Sequence, residues 1–137
     1  MIALEPVIVA RLRASLAGAW AVKGMFFDDG KRSGDLFASV MFADANVPSS
    51  EAPGVLVQPL WLVTLAAKGT DAEVAEQLDG AFALSVEVLH GWSPGLVSGR
   101  RWERLRLVRV KPPPYLDTGL AGIELGFSTS ARFDGQP

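Results

Sequence analysis

Apolar residues fall at helical spacing near the start of the chain, at Ile8, Val9, Leu12 and Leu16, with Arg11 and Arg13 on the opposite side. They predict a helix over residues 5–16, with Pro6 in a first turn that tolerates its missing N–H and Gly18 as a stop. Short apolar runs over residues 20–27 and 36–42 predict two strands, separated by the turn-rich DDGKRSGD of residues 28–35. The segment NVPSSEAPG, residues 46–54, reads as a loop. Residues 55–67 are apolar at both parities: Val55, Val57, Trp61, Val63 and Leu65 on one face, Leu56, Leu60, Leu62 and Ala66 on the other. Such a strand belongs mid-sheet with both faces covered. Pro59 cannot donate to a ladder, so a bulge or an edge is expected beside it.

After this strand Thr70 and Glu73 read as a capping box, opening a helix whose stripe is Val74, Leu78, Phe82, Val86 and Leu89. His90 and Gly91 close it, an imidazole near the carbonyl end and then a residue tolerant of a left-handed turn. Residues 102–110 and 119–133 read as an antiparallel pair joined by KPPPYLDT. In the second, Ile123, Leu125, Phe127, Thr129, Ala131 and Phe133 alternate with Glu124, Ser128, Ser130 and Arg132. In the first, Leu105 and Leu107 alternate with Arg104 and Arg106 until Val108, where one extra residue restores the register; a bulge is expected there. The predicted class is α+β: an antiparallel or mixed sheet of about four to five strands, with two helices packed on one face. Two helices leave the other face of the 55–67 strand to loops or a second subunit, which favours an oligomer.

At 137 residues the chain is expected to form one domain with a sizeable core, and 49% apolar content excludes global disorder. A net charge of −2 argues against a dedicated nucleic-acid binder, and the absence of cysteine removes disulfides and thiolate metal sites. Glu5 and Pro6 interrupt the N-terminus too early for a signal peptide, and the longest apolar run is too short to span a bilayer. Synthesis in a cytoplasm, without membrane association, is expected.

Residues 91–95 spell Gly-Trp-Ser-Pro-Gly, but a nucleophile elbow needs a strand before the serine, a helix after it and a histidine downstream. Here a helix precedes, Pro-Gly follows, and the sole histidine, His90, lies upstream, so a helix-ending turn is the simpler reading. Asp28, Asp29 and Asp35, with Lys31 and Arg32 between them, lack calcium-loop spacing and read as a solvated turn. Arg100, Arg101, Arg104, Arg106, Arg109 and Lys111 place six cations in twelve residues. They read either as a solvated strand face near Glu103 or as a surface for an acidic partner or a lining that DNA passes. No recognition helix or stacking motif accompanies them. Tryptophans are core residues by default; Trp92, in a loop past the helix, is the one expected nearest an interface.

The order of these motifs resembles the tail terminator proteins of long-tailed bacteriophages, of the Mu-like and related siphophage kind. The resemblance rests on Trp61-Leu62-Val63-Thr64-Leu65, on Leu78-Asp79, and on Leu89-His90-Gly91-Trp92-Ser93-Pro94-Gly95. It continues through Arg100-Arg101-Trp102 to Gly122-Ile123-Glu124-Leu125-Gly126-Phe127, covering roughly residues 54–133. It implies a small α+β protein of the virion neck, forming a hexameric ring on the head-proximal end of the tail tube. There it would stop polymerisation of the tail tube protein and present a surface to the head–tail connector or stopper, with DNA only as passing cargo. It implies no cofactor and no catalytic residues. Arg101, Trp102, Arg104, Arg106, Trp92 and the loop from Asp28 to Asp35 are the expected contact surfaces. The rival expectations are another neck component and, from a different class, a small-ligand-binding module or enzyme with a deep polar pocket.

Overall fold

The computed structural model describes residues 1–25, 35–51, 53–113 and 119–136. Helix α1 spans Leu4–Ser15 and buries Leu4, Glu5, Ile8, Val9 and Leu12. Its Arg11 and Arg13 face away from that stripe but are tied down: Arg11 Nε donates to the Val88 carbonyl at 3.0 Å, and Arg13 donates to the Val22 carbonyl. Strand β1 (Trp20–Gly24) runs parallel to β2 (Leu36–Ser49), pairing only with residues 36–40. β2 then turns back antiparallel into β3 (Gly54–Lys68).

Helix α2 (Ala72–Leu89) follows, then a two-stranded hairpin of β4 (Gly95–Val97) and β5 (Arg100–Trp102), then β6 (Arg106–Lys111), β7 (Leu120–Ser128) and β8 (Ala131–Asp134). The main sheet of the described residues has six strands, in the order β1-β2-β3-β7-β6, with β8 also against β3. It is antiparallel apart from β1–β2, and both helices pack on one face. The class is therefore α+β as expected, with one strand more than anticipated.

β3 is the spine of the sheet. One side pairs along its length with β2; the other pairs with β7 from Leu60 to Lys68 and with β8 from Gly54 to Val57. The change of partner falls at Pro59. Because Pro59 has no N–H, it contributes only its carbonyl, which accepts from Thr129 N; it faces Ala45 in register, and β2 bulges next to this pair, between Phe42 and Asp44 opposite Trp61 and Leu60. The expected single strand over 119–133 is thus two strands on one line, and the expected inside–outside alternation is not kept, since Glu124 and Ser128 are buried as well. Leu125, Phe127, Thr129 and Ala131 are all buried.

The core lies between helices and sheet. Trp61, Val63, Leu65 and Ala67 of β3 are each 0% exposed, against Ala38 and Val40 of β2 and Leu125 and Phe127 of β7. Phe42 meets Trp61 edge-on at 5.8 Å between ring centres. Each fully buried side chain of this size contributes about 1.5–3 kcal/mol relative to exposure.

Four expectations are corrected. Residues 46–49 are not loop: β2 continues to Ser49 because Asn46 and Ser49 pair with Gln58 and Leu56, a constraint imposed by β3 rather than by local composition. The α2 cap is Asp71, whose carboxylate accepts from Val74 N at 3.0 Å, and not Thr70. The buried stripe of α2 runs through Ala81 and Ser85 instead of Phe82 and Val86, which are half-buried. The 102–110 strand is divided, since residues 103–105 leave the sheet to bond elsewhere. The bulge at Val108 is present: Leu107 faces Phe127, Arg109 faces Gly126, and Val108 has no partner in the register.

Among the described residues the far face of the sheet carries no helix, yet Leu62 and Ala66 are buried on it. Apolar exposure on that face includes Met41 and Leu56 of the β2–β3 hairpin.

Candidate functional site

The arginine-rich segment is positioned by stitching between the end of α2 and the start of β6. Gly91 adopts φ +82°, which reverses the chain. Its N–H then donates to the Leu105 carbonyl at 2.7 Å, while Leu105 N–H returns to the Trp92 carbonyl at 2.8 Å. Arg104 Nη1 reaches the Gly91 carbonyl at 3.1 Å, and His90 Nδ1 accepts from Leu107 N–H at 3.0 Å. On the other side Glu103 N–H donates to the Ser130 carbonyl, and Thr129 Oγ1 donates to the Glu103 carbonyl at 2.6 Å. Residues 103–105 are therefore fixed from two directions.

This arrangement separates the arginines into two clefts. Arg104 and Arg106 line one of about 250 Å³ with Gln58, Glu103 and the hydroxyl-bearing residues 128–130. It opens where β7 hands over to β8. Arg100 and Arg101 line a wider one, about 570 Å³, with Ser98, Gly99, Arg132 and Asp134. Arg132 pairs with Asp134 at 3.2 Å, and the Arg100 guanidinium lies 3.9 Å from the Phe133 ring centre. Burial, and then the Arg100 charge, hold the Met1 α-amino group below its ordinary pKa. Guanidinium groups present forked donors, and each cleft already holds one acid among them, Glu103 in the first and Asp134 in the second.

Arg101, Arg104 and Arg106 are exposed as the sequence suggested. Trp102 is not at the surface: it is 2% exposed and meets Phe133 edge-on at 6.2 Å. It packs beneath the hairpin that carries Arg100 and Arg101. Trp92 is half-buried, with the Arg11 guanidinium 5.0 Å above its ring. Asp35 is exposed at the base of β2, 3.8 Å from Lys68 Nζ. Asp28, Asp29, Lys31 and Arg32 lie outside the described residues. Sequence reasoning missed Arg132, which joins Arg100 and Arg101 only through the β3–β8 pairing.

The Gly-x-Ser-x-Gly letters serve structure. Ser93 Oγ donates to the Trp102 carbonyl at 3.0 Å and accepts from Gly95 N–H at 3.2 Å. His90 Nδ1 is occupied by Leu107, so serine and histidine are each committed to backbone. Among the described residues no group of three or more His, Asp or Glu side chains is placed to hold a metal, and no helix is long and apolar enough to cross a membrane.

An α+β fold with helices on one face of its sheet and two arginine-lined clefts, one beside β6 and one between the β4–β5 hairpin and β8, is the class of structure these observations define. By shape, the chain is similar to one in the virion of a native gene transfer agent particle, at 19% identity and a TM-score of 0.64 over 95% of both chains. It is also similar to one in the PVC sheath/tube terminator of an extracellular contractile injection system in its extended state, at 14% identity and a TM-score of 0.51. That likeness takes in 100% of this chain but 57% of the other. At these identities the likeness is one of fold. By sequence, no protein family and no curated protein matches.

Proposed function

We propose that this chain is a structural protein of a phage-like virion that forms a ring on the head-proximal end of the tail tube. The ring ends polymerisation of the tube protein and offers the connector or stopper its joining surface, while DNA passes through as cargo. The mechanism is steric: one ring face complements the last tube ring and the other does not complement more tube protein. The carrying observation is the fold shared over 95% of both chains with a chain of the gene transfer agent virion. The sheath/tube terminator likeness supports the placement at a tube end. Arg101, Arg104 and Arg106, together with the loop from Asp28 to Asp35, are the contact surfaces on this reading. Trp102, buried in the same strand as Arg101, anchors the β4–β5 hairpin.

Electron microscopy of lysates from a phage with this gene disrupted tests the reading. Overlong tubes beside tailless, DNA-filled heads are expected. Tails of normal length would sink it, and normal tails detached from heads would point to another neck component.

A further inference from the structure

The two edges of the main sheet carry opposite chemistry. At one edge β1 stops at Gly24, so beyond residue 40 the outer side of β2 has no strand beside it among the described residues. This arm carries Asp44, Val47 and, just past its end, Glu51, all exposed. Asp44 caps only its own neighbour, accepting from Ala45 N–H at 2.7 Å, and neither acid has a cationic partner among the described residues. The other edge is β6, which pairs only with β7. It carries Arg106 and Arg109, exposed and without an ion pair among the described residues, interleaved with Val108 at 53% and Val110 at 49% exposure.

We propose that the β2–β3 arm of one copy docks along β6 of a second copy, acids on Arg106 and Arg109, Val47 on Val108. This rests on the ring reading only for its place in the particle. Three observations favour a second copy as the occupant. The charges are complementary and sit on the same chain. Each edge also presents an exposed valine among its charges, Val47 at 53% and Val108 at 53%. The edges lie on opposite sides of the sheet, so a contact between them joins unlike surfaces and repeats head to tail, as a closed ring requires.

The contact is made through side chains and is not a continuation of the ladder. Val108 bulges on β6, and β2 is irregular between Asn46 and Ser49, where Pro48 lacks an N–H. Both edges are thus blunted against indiscriminate strand pairing, while their side chains remain free to select one another.

Because the chain contains no cysteine, introduced thiols report without background. Val47→Cys and Val108→Cys variants, each purified, should form no disulfide dimer alone but cross-link when mixed under mild oxidation, and the double variant should give a ladder. Adding Asp44→Arg and Glu51→Arg to the Val47→Cys chain should reduce the mixed cross-link at least tenfold. Adding Arg106→Glu and Arg109→Glu to the Val108→Cys partner should then restore it. Absence of the mixed cross-link in natively folded protein would overturn the docking, as would equally abundant disulfide dimers of the Val47→Cys variant alone. Tail length is read separately. Overlong tubes on gene disruption without a cross-link would remove the docking and leave the terminator reading standing. A charge-dependent cross-link with normal tails would do the reverse.

Discussion

His90 Nδ1 accepts the backbone N–H of Leu107 at 3.0 Å, so the C-terminal cap of α2 holds the start of β6 in place. The sole imidazole of the chain thus accepts a backbone N–H through Nδ1. His90→Ala should cost about 1 kcal/mol, the ordinary net worth of one such bond. Faster amide exchange at Leu107, read by NMR, should accompany the loss, with exchange in the middle of α2 unchanged.

Asp71, not Thr70, accepts from Val74 N–H, which separates two adjacent residues that can both cap a helix. Asp71→Ala is expected to destabilise the fold by about 1 kcal/mol in urea unfolding, with Thr70→Ala well below that. Equal losses would return the cap to the capping-box reading.

Ser85 is 0% exposed, and its Oγ has no hydrogen-bond partner among the described residues. Replacing a buried, unsatisfied hydroxyl by a methyl removes a desolvation cost and adds helix propensity. Ser85→Ala should therefore stabilise the protein by about 0.5–1 kcal/mol, read as a higher urea midpoint at unchanged slope.

Gly24 ends β1 directly against the Glu5 side chain, and an added Cβ would collide with its carboxylate. Glu5 is itself 0% exposed, so the collision cannot be relieved by swinging the side chain into solvent. Gly24→Ala should cost about 1–3 kcal/mol, the range for overpacking a filled site. A melting temperature equal to wild type would show that the α1–β1 contact yields more easily than its packing suggests.

The fold is legible in the sequence where periodicity is strong. Val108 interrupts a clean alternation, and the bulge sits on it. The two-sided apolar run of β3 does occupy the middle of the sheet. The failures share a cause, which is that a partner distant in sequence decides the outcome. Residues 46–49 have loop composition and become strand only because Gln58 and Leu56 face them. Ala81 and Ser85 escape a stripe read from large side chains, whereas close helix packing selects small ones. Trp102 reads as surface among arginines, yet strand parity at β5 turns it inward and leaves Arg101 outside. Arg132 can join Arg100 only once β8 has paired with β3.

Arg104 and Arg106 are exposed, so their role is separable from folding. Arg104→Glu with Arg106→Glu should leave unfolding within about 0.5 kcal/mol, apart from the Arg104–Gly91 bond. Association of the ring with itself or with tube protein, measured by sedimentation, should be lost. Assembly unaltered at physiological salt would exclude this cleft as a contact.

The division of β3 between an early and a late neighbour has a kinetic consequence. Its β2 side can zip as a local hairpin, but its β7 side waits until α2, the small hairpin and β6 have all been synthesised. Leu125 and Phe127, which close the core over Trp61 and Val63, come late in the order of synthesis. Joining segments so distant along the chain is slow compared with forming local contacts. A nascent chain stalled before Leu125 would carry an apolar spine open along one edge, vulnerable to aggregation and proteolysis, so quality control in the producing cell would act chiefly on chains that lack this final closure.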